Sequence, residues 1–133
     1  MKVLVSPINE EEAIAAYKGG ADIIDVKNPK EGSLGANFPW VIRSVKEAIG
    51  SKKPISATIG DFNYKPGTAS LAALGAAVAG AQYVKVGLFD VQTEDQALEM
   101  LTNINRAVKD FDPSKKVVAS GYSDHKRINS ISP

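Results

Sequence analysis

Cysteine is absent from this chain of 133 residues, and histidine occurs only once, at His125. The lack of cysteine excludes disulfides, thiolate zinc sites and a cysteine nucleophile. A single histidine cannot build a histidine-rich metal site, so we expect no bound metal. The sequence therefore predicts a protein whose chemistry uses neither thiols nor metal ions.

The chain also lacks a dominant charge and long apolar runs. It has 16 Lys and Arg against 15 Asp and Glu, a net charge of +1, which provides no general attraction to nucleic acid or anionic membranes. No apolar run approaches the roughly 18 residues of a membrane span, and the first apolar stretch is too short for a signal peptide. Because 44% of the residues are hydrophobic, a packed core is expected. We predict a soluble, cytoplasmic α/β domain.

Strand-like and helix-like patterns alternate along the chain. Asn9 with Glu12, and Thr93 with Gln96, have the spacing of capping boxes at helix N-termini. The loop predicted at residues 61–67 precedes a helix rich in alanine, and residues 123–130 are predicted to begin a fifth helix. The predicted strands cover residues 3–5, 23–27, 55–59, 83–86 and 117–120, and the predicted helices begin near residues 10, 39, 68 and 94.

This alternation predicts a parallel sheet covered by helices. A doubly wound five-stranded sheet needs about this length, whereas a closed (β/α)8 barrel needs at least roughly 200 residues. The segment at residues 20–26 resembles the segment at residues 80–86, two β/α units later, and such a repeat favours a barrel. We therefore predict that residues 1–133 form one α/β domain, the first four and a half units of a TIM barrel.

Charged side chains interrupt two of the predicted strands, although buried parallel strands usually read as continuous apolar runs. Asp25 and Lys27 alternate with apolar residues in the second strand, and Lys85 lies between two valines in the fourth. Because the apolar faces must meet the helices, these three side chains are expected to point into the barrel interior. The matching face of the third strand is small and polar, consisting of Ser56, Thr58 and Gly60.

Two inward lysines suit carbonyl chemistry. A lysine in a partly dry site loses solvation, which lowers its pKa, and a second cation nearby lowers it further. The neutral amine is a nucleophile that forms Schiff bases with carbonyl groups. A structural alternative stays open, in which Lys85 forms an ion pair with Asp25 and Lys27 is a solvated group at a strand end. The ion pair and a catalytic role are compatible.

Other motifs carry weaker predictions. Lys65 and Thr68 flank Pro-Gly at a helix N-terminus, where free N–H groups can bind a phosphate. The alternative is that this segment is a plain cap and turn. The loop at residues 30–35 is long and glycine-rich for a βα turn, which is typical of an active-site loop, although it lacks nucleotide-binding spacing. Tyr122 is predicted to line the mouth of the barrel or to pack, and Lys115 to lie in a solvated turn.

Four motifs resemble one known family, that of the (5-formylfuran-3-yl)methyl phosphate synthases of methanofuran biosynthesis in archaeal methanogens. They are VSP at residues 5–7, DVKNPKEGSLGANFPW at 25–40, KPGT at 65–68 and VKVGL at 84–88. The resemblance implies a TIM-barrel lyase without cofactor that condenses two glyceraldehyde 3-phosphate molecules, losing phosphate and water. It also implies Lys27 as the Schiff-base lysine and Lys85 as the proton acceptor. Substrate contacts are expected from Asp25, Asn28, Lys65 and Thr68.

The chain departs from this family because it lacks the later strand that supplies a further Asp and Lys, and the later phosphate-binding loops. We therefore expect an N-terminal part of such an enzyme, inactive by itself. Open edges at the first and fifth strands, with apolar surface left uncovered, predict self-association into a homo-oligomer. Two alternatives remain: a Schiff-base aldolase or isomerase acting on sugar phosphates, and a non-catalytic half-barrel that self-associates.

Overall fold

The computed structural model describes residues 1–133, in which strands and helices alternate as the sequence predicts. A short 3-10 helix, Pro29–Glu31, lies in the connection that follows the second strand. The elements in chain order are β1 (Leu4–Val5), α1 (Glu10–Lys18), β2 (Ile23–Val26), α2 (Pro39–Ile49), β3 (Ile55–Phe62), α3 (Pro66–Ala79), β4 (Tyr83–Leu88), α4 (Glu94–Phe111) and β5 (Lys116–Ser120).

The five strands form one parallel sheet in the order β1-β2-β3-β4-β5. A doubly wound sheet reverses its strand order and carries helices on both faces. Here each strand pairs with the next one in sequence, and crossovers between parallel strands are almost always right-handed. All four helices consequently cover the same face of the sheet, and the other face carries no helix.

The hydrophobic core lies between the sheet and the helices. Ile24, Val26, Val84 and Val86 alternate along β2 and β4, and all four are fully buried. Small side chains dominate α3, which packs between α2 and α4 and contacts β3 and β4. The buried alanines of α3 are Ala69, Ala73, Ala76, Ala77 and Ala79. The apolar half of each strand therefore meets the helices, as its alternation predicts.

Both predicted capping residues are confirmed. Asn9 accepts a hydrogen bond from the Glu12 N–H at 2.9 Å, and Thr93 accepts one from the Gln96 N–H at 3.2 Å. The return bonds of Glu12 and Gln96 go to the N–H groups of the residues that precede the caps. These bonds satisfy backbone donors that an α-helix leaves free in its first turn.

The predicted end of β3 is wrong. The strand continues to Phe62, because a bulge between Thr58 and Asp61 keeps it paired with β4. Thr58 lies opposite Lys85, but Asp61 lies opposite Gly87, so three steps along β3 match two along β4. Gly60 has φ +125°, a conformation that side chains rarely adopt. The bulge shifts the alternation, and Asp61 takes the face expected for Gly60.

The fifth helix predicted at residues 123–130 is absent, and this segment forms consecutive turns. The Asp124 carbonyl accepts hydrogen bonds from the N–H groups of both Arg127, three residues later, and Ile128, four residues later. The segment therefore does not keep the regular four-residue spacing of an α-helix. Asn129 has φ 54°, which interrupts a right-handed helix. Ser130 ties the segment to the sheet by donating its hydroxyl to the Leu88 carbonyl at 2.8 Å.

The outermost strands, β1 and β5, each pair on one side only. Apolar side chains on both are partly open to solvent: Leu4 is 46% exposed and Val118 is 37% exposed. Their free N–H and C=O groups are available to another strand. No helix combines the length and apolar character that a membrane crossing requires.

Candidate active site

The predicted charged residues lie on the face of the sheet that carries no helix. Asp25 is in register with Ser56, and Ser56 with Tyr83. Two residues further along β3, Thr58 is in register with Lys85 of β4. If the β2–β3 pairing is extended by one residue, Lys27 lies opposite Thr58. Two short rows of polar side chains therefore cross the middle of the sheet.

Asp25 and Lys85 form an ion pair across this face. The Lys85 Nζ lies 2.6 Å from Asp25 Oδ2, although the residues are 60 positions apart. The Ser6 hydroxyl, which follows β1, donates to the same oxygen at 3.1 Å. Since Asp25 is only 1% exposed, its carboxylate is held almost entirely by these two partners. The predicted ion pair is therefore present.

The second oxygen of Asp25 has no hydrogen-bond partner, although it is buried. Buried polar atoms in native proteins are nearly always bonded, and an exception calls for an explanation. Here the free Oδ1 belongs to the carboxylate that binds Lys85, on the face left uncovered by helices.

Lys27 follows β2 directly, and its backbone is held on both sides. Its N–H donates to the Pro7 carbonyl at 3.2 Å, and its carbonyl accepts from the Asn37 side chain at 3.3 Å. Asn37 also donates to the Ile8 carbonyl at 2.8 Å. The Lys27 side chain is half-buried and forms no salt bridge. Its amine is consequently free of the carboxylate pairing that holds Lys85.

The other predicted substrate-binding residues differ in their surroundings. Asn28 uses its own side chain locally, accepting from the Lys30 N–H at 3.2 Å in the glycine-rich loop. Thr68 is exposed in the first turn of α3, and Lys65 is exposed at the N-cap position before it, where its side chain makes no capping bond. No hydrogen bond or salt bridge joins either of them to Asp25 or Lys85. Their phosphate-binding role stays a prediction.

Asp61 is the residue that sequence reasoning missed at this end of the sheet. Its carboxylate accepts from the Ser33 hydroxyl at 3.1 Å, from the Leu34 N–H at 3.1 Å and from the Tyr122 hydroxyl. Burial, followed by the bond to Asp61, raises the pKa of Tyr122 above its ordinary value. A cavity of about 540 Å³, lined in part by Phe89, adjoins this group. The isolated glycine at position 60 was the available signal, because glycine inside a strand suggests a bulge.

A family model described as 4-HFC-P synthase matches residues 3–133. The chain belongs to the 4-HFC-P synthase family. The resemblance drawn from the motifs is therefore confirmed, and it extends over nearly the whole chain.

Relatives in this family are named (5-formylfuran-3-yl)methyl phosphate synthase. The protein from Methanosarcina acetivorans is 82% identical over 133 residues, and that from Methanocaldococcus jannaschii is 59% identical over 133 residues. The relative from Archaeoglobus fulgidus is 69% identical over 134 residues. Each match covers 100% of this chain and 57% of the relative, so the chain spans little more than half the length of these synthases.

Two solved structures share the fold at low identity. A type I 3-dehydroquinate dehydratase from Clostridium difficile has a TM-score of 0.65 and 18% identity, covering 92% of this chain and 52% of that one. A dihydrodipicolinate synthase from Agrobacterium tumefaciens has a TM-score of 0.67 and 15% identity, covering 99% and 48%. Both neighbours are TIM-barrel-like, and the likeness is one of fold alone. It agrees with the sequential strand order of this 4-HFC-P synthase family member.

Proposed function

We propose that the intact gene product containing this sequence makes (5-formylfuran-3-yl)methyl phosphate from two molecules of glyceraldehyde 3-phosphate, in methanofuran biosynthesis. The observation that carries the proposal is the Lys85–Asp25 pair, 2.6 Å long, on the uncovered face of the sheet, with Lys27 two residues after Asp25. Family membership supports the choice of product. On this proposal the enzyme is a carbon–oxygen lyase that acts on a phosphorylated triose.

The architecture proposed for this chain is the N-terminal part of a TIM barrel, with residues 1–133 in one domain. Its sequential parallel order and one-sided helix layer match the first four and a half β/α units of such a barrel. Barrel enzymes carry their sites at the carboxyl ends of the strands. Lys27 directly follows β2 and Asp61 lies near the end of β3, so both are at this edge.

Lys27 begins the proposed reaction by attacking the carbonyl carbon of one triose phosphate. Loss of water gives an iminium, which acts as an electron sink for the neighbouring carbon. Lys85 is the proposed acceptor of the proton of that carbon. Its ammonium first passes a proton to Asp25 Oδ2, which lies within hydrogen-bond distance, and the amine so formed takes the carbon proton, which leaves an enamine. The ammonium is thereby restored on Lys85.

The enamine carbon then bonds to the aldehyde carbon of the second triose phosphate. Elimination of one phosphate, loss of two waters and closure of the furan ring follow, and hydrolysis of the iminium, which consumes one water, releases the product from Lys27. Over the whole sequence two triose phosphates give one furan phosphate, one phosphate and two waters, so no oxidant or reductant is needed. The proposed reaction accordingly uses no redox cofactor.

Phosphate groups on the two substrates need binding sites beyond the lysines. We propose that Lys65, Thr68 and the free N–H groups of the α3 N-terminus bind one of them. Asp25 Oδ1 and Asn28 are proposed to contact the substrate nearer to the reacting carbons. The support is the unpartnered Asp25 oxygen and the position of Asn28 next to Lys27.

Borohydride trapping tests the assignment of the lysines. The intact gene product is incubated with glyceraldehyde 3-phosphate, reduced, digested and analysed by peptide mass spectrometry. We expect the reduced adduct on Lys27, with Lys115→Met as a control that is labelled equally well. Labelling of Lys85 with Lys27 untouched would reverse the two roles.

Product analysis distinguishes the synthase from an aldolase or isomerase that uses the same lysines. Only the synthase makes a furan chromophore, which ultraviolet absorbance detects. A trapped Lys27 adduct without any furan would indicate aldolase or isomerase chemistry on a sugar phosphate.

Self-association is proposed for the 133-residue chain alone, because β1 and β5 both present unpaired edges. Light scattering is expected to show an assembly larger than a monomer, and the furan assay is expected to show no activity. A monomer that makes the furan would contradict both expectations.

A further inference from the structure

One carboxylate connects three segments that are distant in sequence. Asp61 Oδ1 accepts the Ser33 hydroxyl at 3.1 Å and also the Tyr122 hydroxyl, while Oδ2 accepts the Leu34 N–H at 3.1 Å. Ser33 and Leu34 follow β2, and Tyr122 follows β5. Asp61 thus binds together the carboxyl-terminal ends of β2, β3 and β5.

Two glycines leave the space that this arrangement requires. Gly32 has φ +134°, and a Cβ atom there would overlap Asp61 Oδ2. A Cβ atom at Gly87 would overlap the Tyr122 hydroxyl and lie 2.7 Å from Leu34 Cδ1. A side chain at either position would require the Asp61 carboxylate, the Tyr122 hydroxyl or the Leu34 side chain to shift.

The loop that Asp61 holds returns to the residue after Lys27. This glycine loop, residues 29–35, is closed at its base because the Gly35 carbonyl accepts the Asn28 N–H at 2.9 Å. The same carbonyl accepts the Thr58 hydroxyl at 2.7 Å, which fixes the base of the loop to β3. Asn28 adjoins Lys27, so the base of the loop shares a peptide bond with the Lys27 backbone, and it adds to the bonds by which Pro7 and Asn37 hold that backbone.

We propose that Asp61 is a positioning residue, which holds the glycine loop against the end of β3 with the help of Tyr122 and thereby orients Lys27. The inference rests on the proposed role of Lys27 as the Schiff-base lysine. Asp61 would act in that reaction without contacting any reacting atom.

The contacts of Asp61 favour positioning over direct electrostatic action. Its three partners are hydrogen-bond donors, and it forms no salt bridge with any lysine or arginine. The raised pKa of Tyr122, caused first by burial and then by the bond to Asp61, keeps the phenol protonated as a donor. The Asp61 carboxylate therefore uses its contacts to bond the loop and Tyr122.

The test compares three variants of the intact gene product. Asp61→Ala removes all three acceptor contacts. Asp61→Asn removes the charge but keeps an oxygen for the Leu34 N–H, and its amide can donate to the two hydroxyls. Asp112→Ala is the matched control, because Asp112 also accepts one backbone N–H and one serine hydroxyl, both from Ser114, near the opposite edge of the sheet.

Three measurements are made on each variant: the rate of borohydride-trapped adduct at Lys27, its pH profile, and amide hydrogen exchange in peptides covering residues 28–35. Asp61→Ala is expected to lower the trapping rate by up to about 10²-fold, since misplacement of about 1 Å can cost that much. Exchange in the loop should rise. Asp61→Asn should retain most of the rate with the same pH midpoint, and Asp112→Ala should match the unaltered protein in all three measurements.

Several results would overturn the positioning role. Unchanged exchange and trapping in Asp61→Ala would show that the carboxylate does not hold the loop. A shifted pH midpoint in Asp61→Asn, with a loss as deep as that of Asp61→Ala, would show that the charge matters instead. If Asp61→Ala fails to fold, Tyr122→Phe, which removes one donor only, must raise loop exchange for the inference to survive.

Failure of the proposed function has a different signature. In that case the unaltered protein forms no adduct with glyceraldehyde 3-phosphate. Competitive acetylation with acetic anhydride then replaces trapping, and it measures the reactivity of the Lys27 amine. An Asp61→Ala variant with unchanged acetylation and unchanged exchange would overturn the positioning role independently of the substrate.

Discussion

Lys115 and Lys85 are withdrawn from solvent to different extents, one at the amino-terminal edge of the sheet and the other within β4. Lys115 is more buried than Lys85, yet its Nζ donates only to the backbone carbonyl of Ala81, at 2.8 Å. Lys85 is half-buried and binds the Asp25 carboxylate at 2.6 Å. Burial lowers the pKa of Lys115, which is the shift expected of a desolvated amine. A buried lysine is therefore no sign of function unless its partner and its place on the sheet also point to one.

Lys115 and Lys85 also differ in where they lie along the strand direction. Lys115 immediately precedes β5, so it lies at the amino-terminal edge of the sheet, beside the turn that leads into β4. Lys85 lies within β4 on the face without helices, in register with Thr58. Substrates of barrel enzymes bind at the carboxyl-terminal edge. The contrast predicts that Lys85 matters for chemistry and Lys115 for stability.

The largest expected effect is on catalysis. Lys85→Met in the intact gene product should lower the rate of furan formation by about 10²–10⁴-fold, the usual contribution of a positioned proton-transfer group. Lys115→Met should leave the rate unchanged. Ultraviolet absorbance of the furan product measures both, and equal losses in the two variants would remove the functional distinction between the lysines.

A second effect, of comparable size, is expected on the free energy of unfolding. Lys85→Met leaves the Asp25 carboxylate buried without its cation, and removing one partner of a buried pair typically costs about 3–5 kcal/mol. The double variant Asp25→Asn with Lys85→Met removes both charges and should recover part of this loss. Urea unfolding monitored by circular dichroism measures the difference. A double variant less stable than Lys85→Met alone would show that the pair is not the source of the loss.

The smallest effect concerns the pH dependence of stability at Lys115. Its pKa is lowered in the folded state, mainly by burial, from 10.5. Between the folded and unfolded pKa values the unfolded chain binds more protons, so the stability contributed by this residue rises as pH increases through that window. Lys115→Met should lose this rise, together with about 1 kcal/mol from one hydrogen bond. Urea unfolding of both proteins at neutral pH and at about pH 10 gives the change in the free energy of unfolding between the two pH values. The same change in both proteins would contradict a lowered pKa of Lys115 in the folded state.

Sequence patterns were reliable where neighbours along the chain determine the structure. The caps at Asn9 and Thr93 depend on residues three positions away, and both are present. The alternation in β2 and β4 placed Asp25 and Lys85 opposite the helices for the same reason. The prediction that Lys115 lies in a solvated turn is wrong, because its burial depends on the Ala81 carbonyl, 34 residues away.

The sequence by itself determined the order of strands and helices, the family, and the face on which Asp25 and Lys85 lie, since each follows from local alternation or from contiguous motifs. Only the tertiary structure decided that Asp61 bonds to the glycine loop and to Tyr122. The bulge at Gly60 arises from the pairing of β3 with β4, and it shifts the alternation by one residue. The partner Tyr122 comes from a segment 61 residues away. A local pattern contains no information about such a contact, because the contact exists only when separate strands are brought side by side.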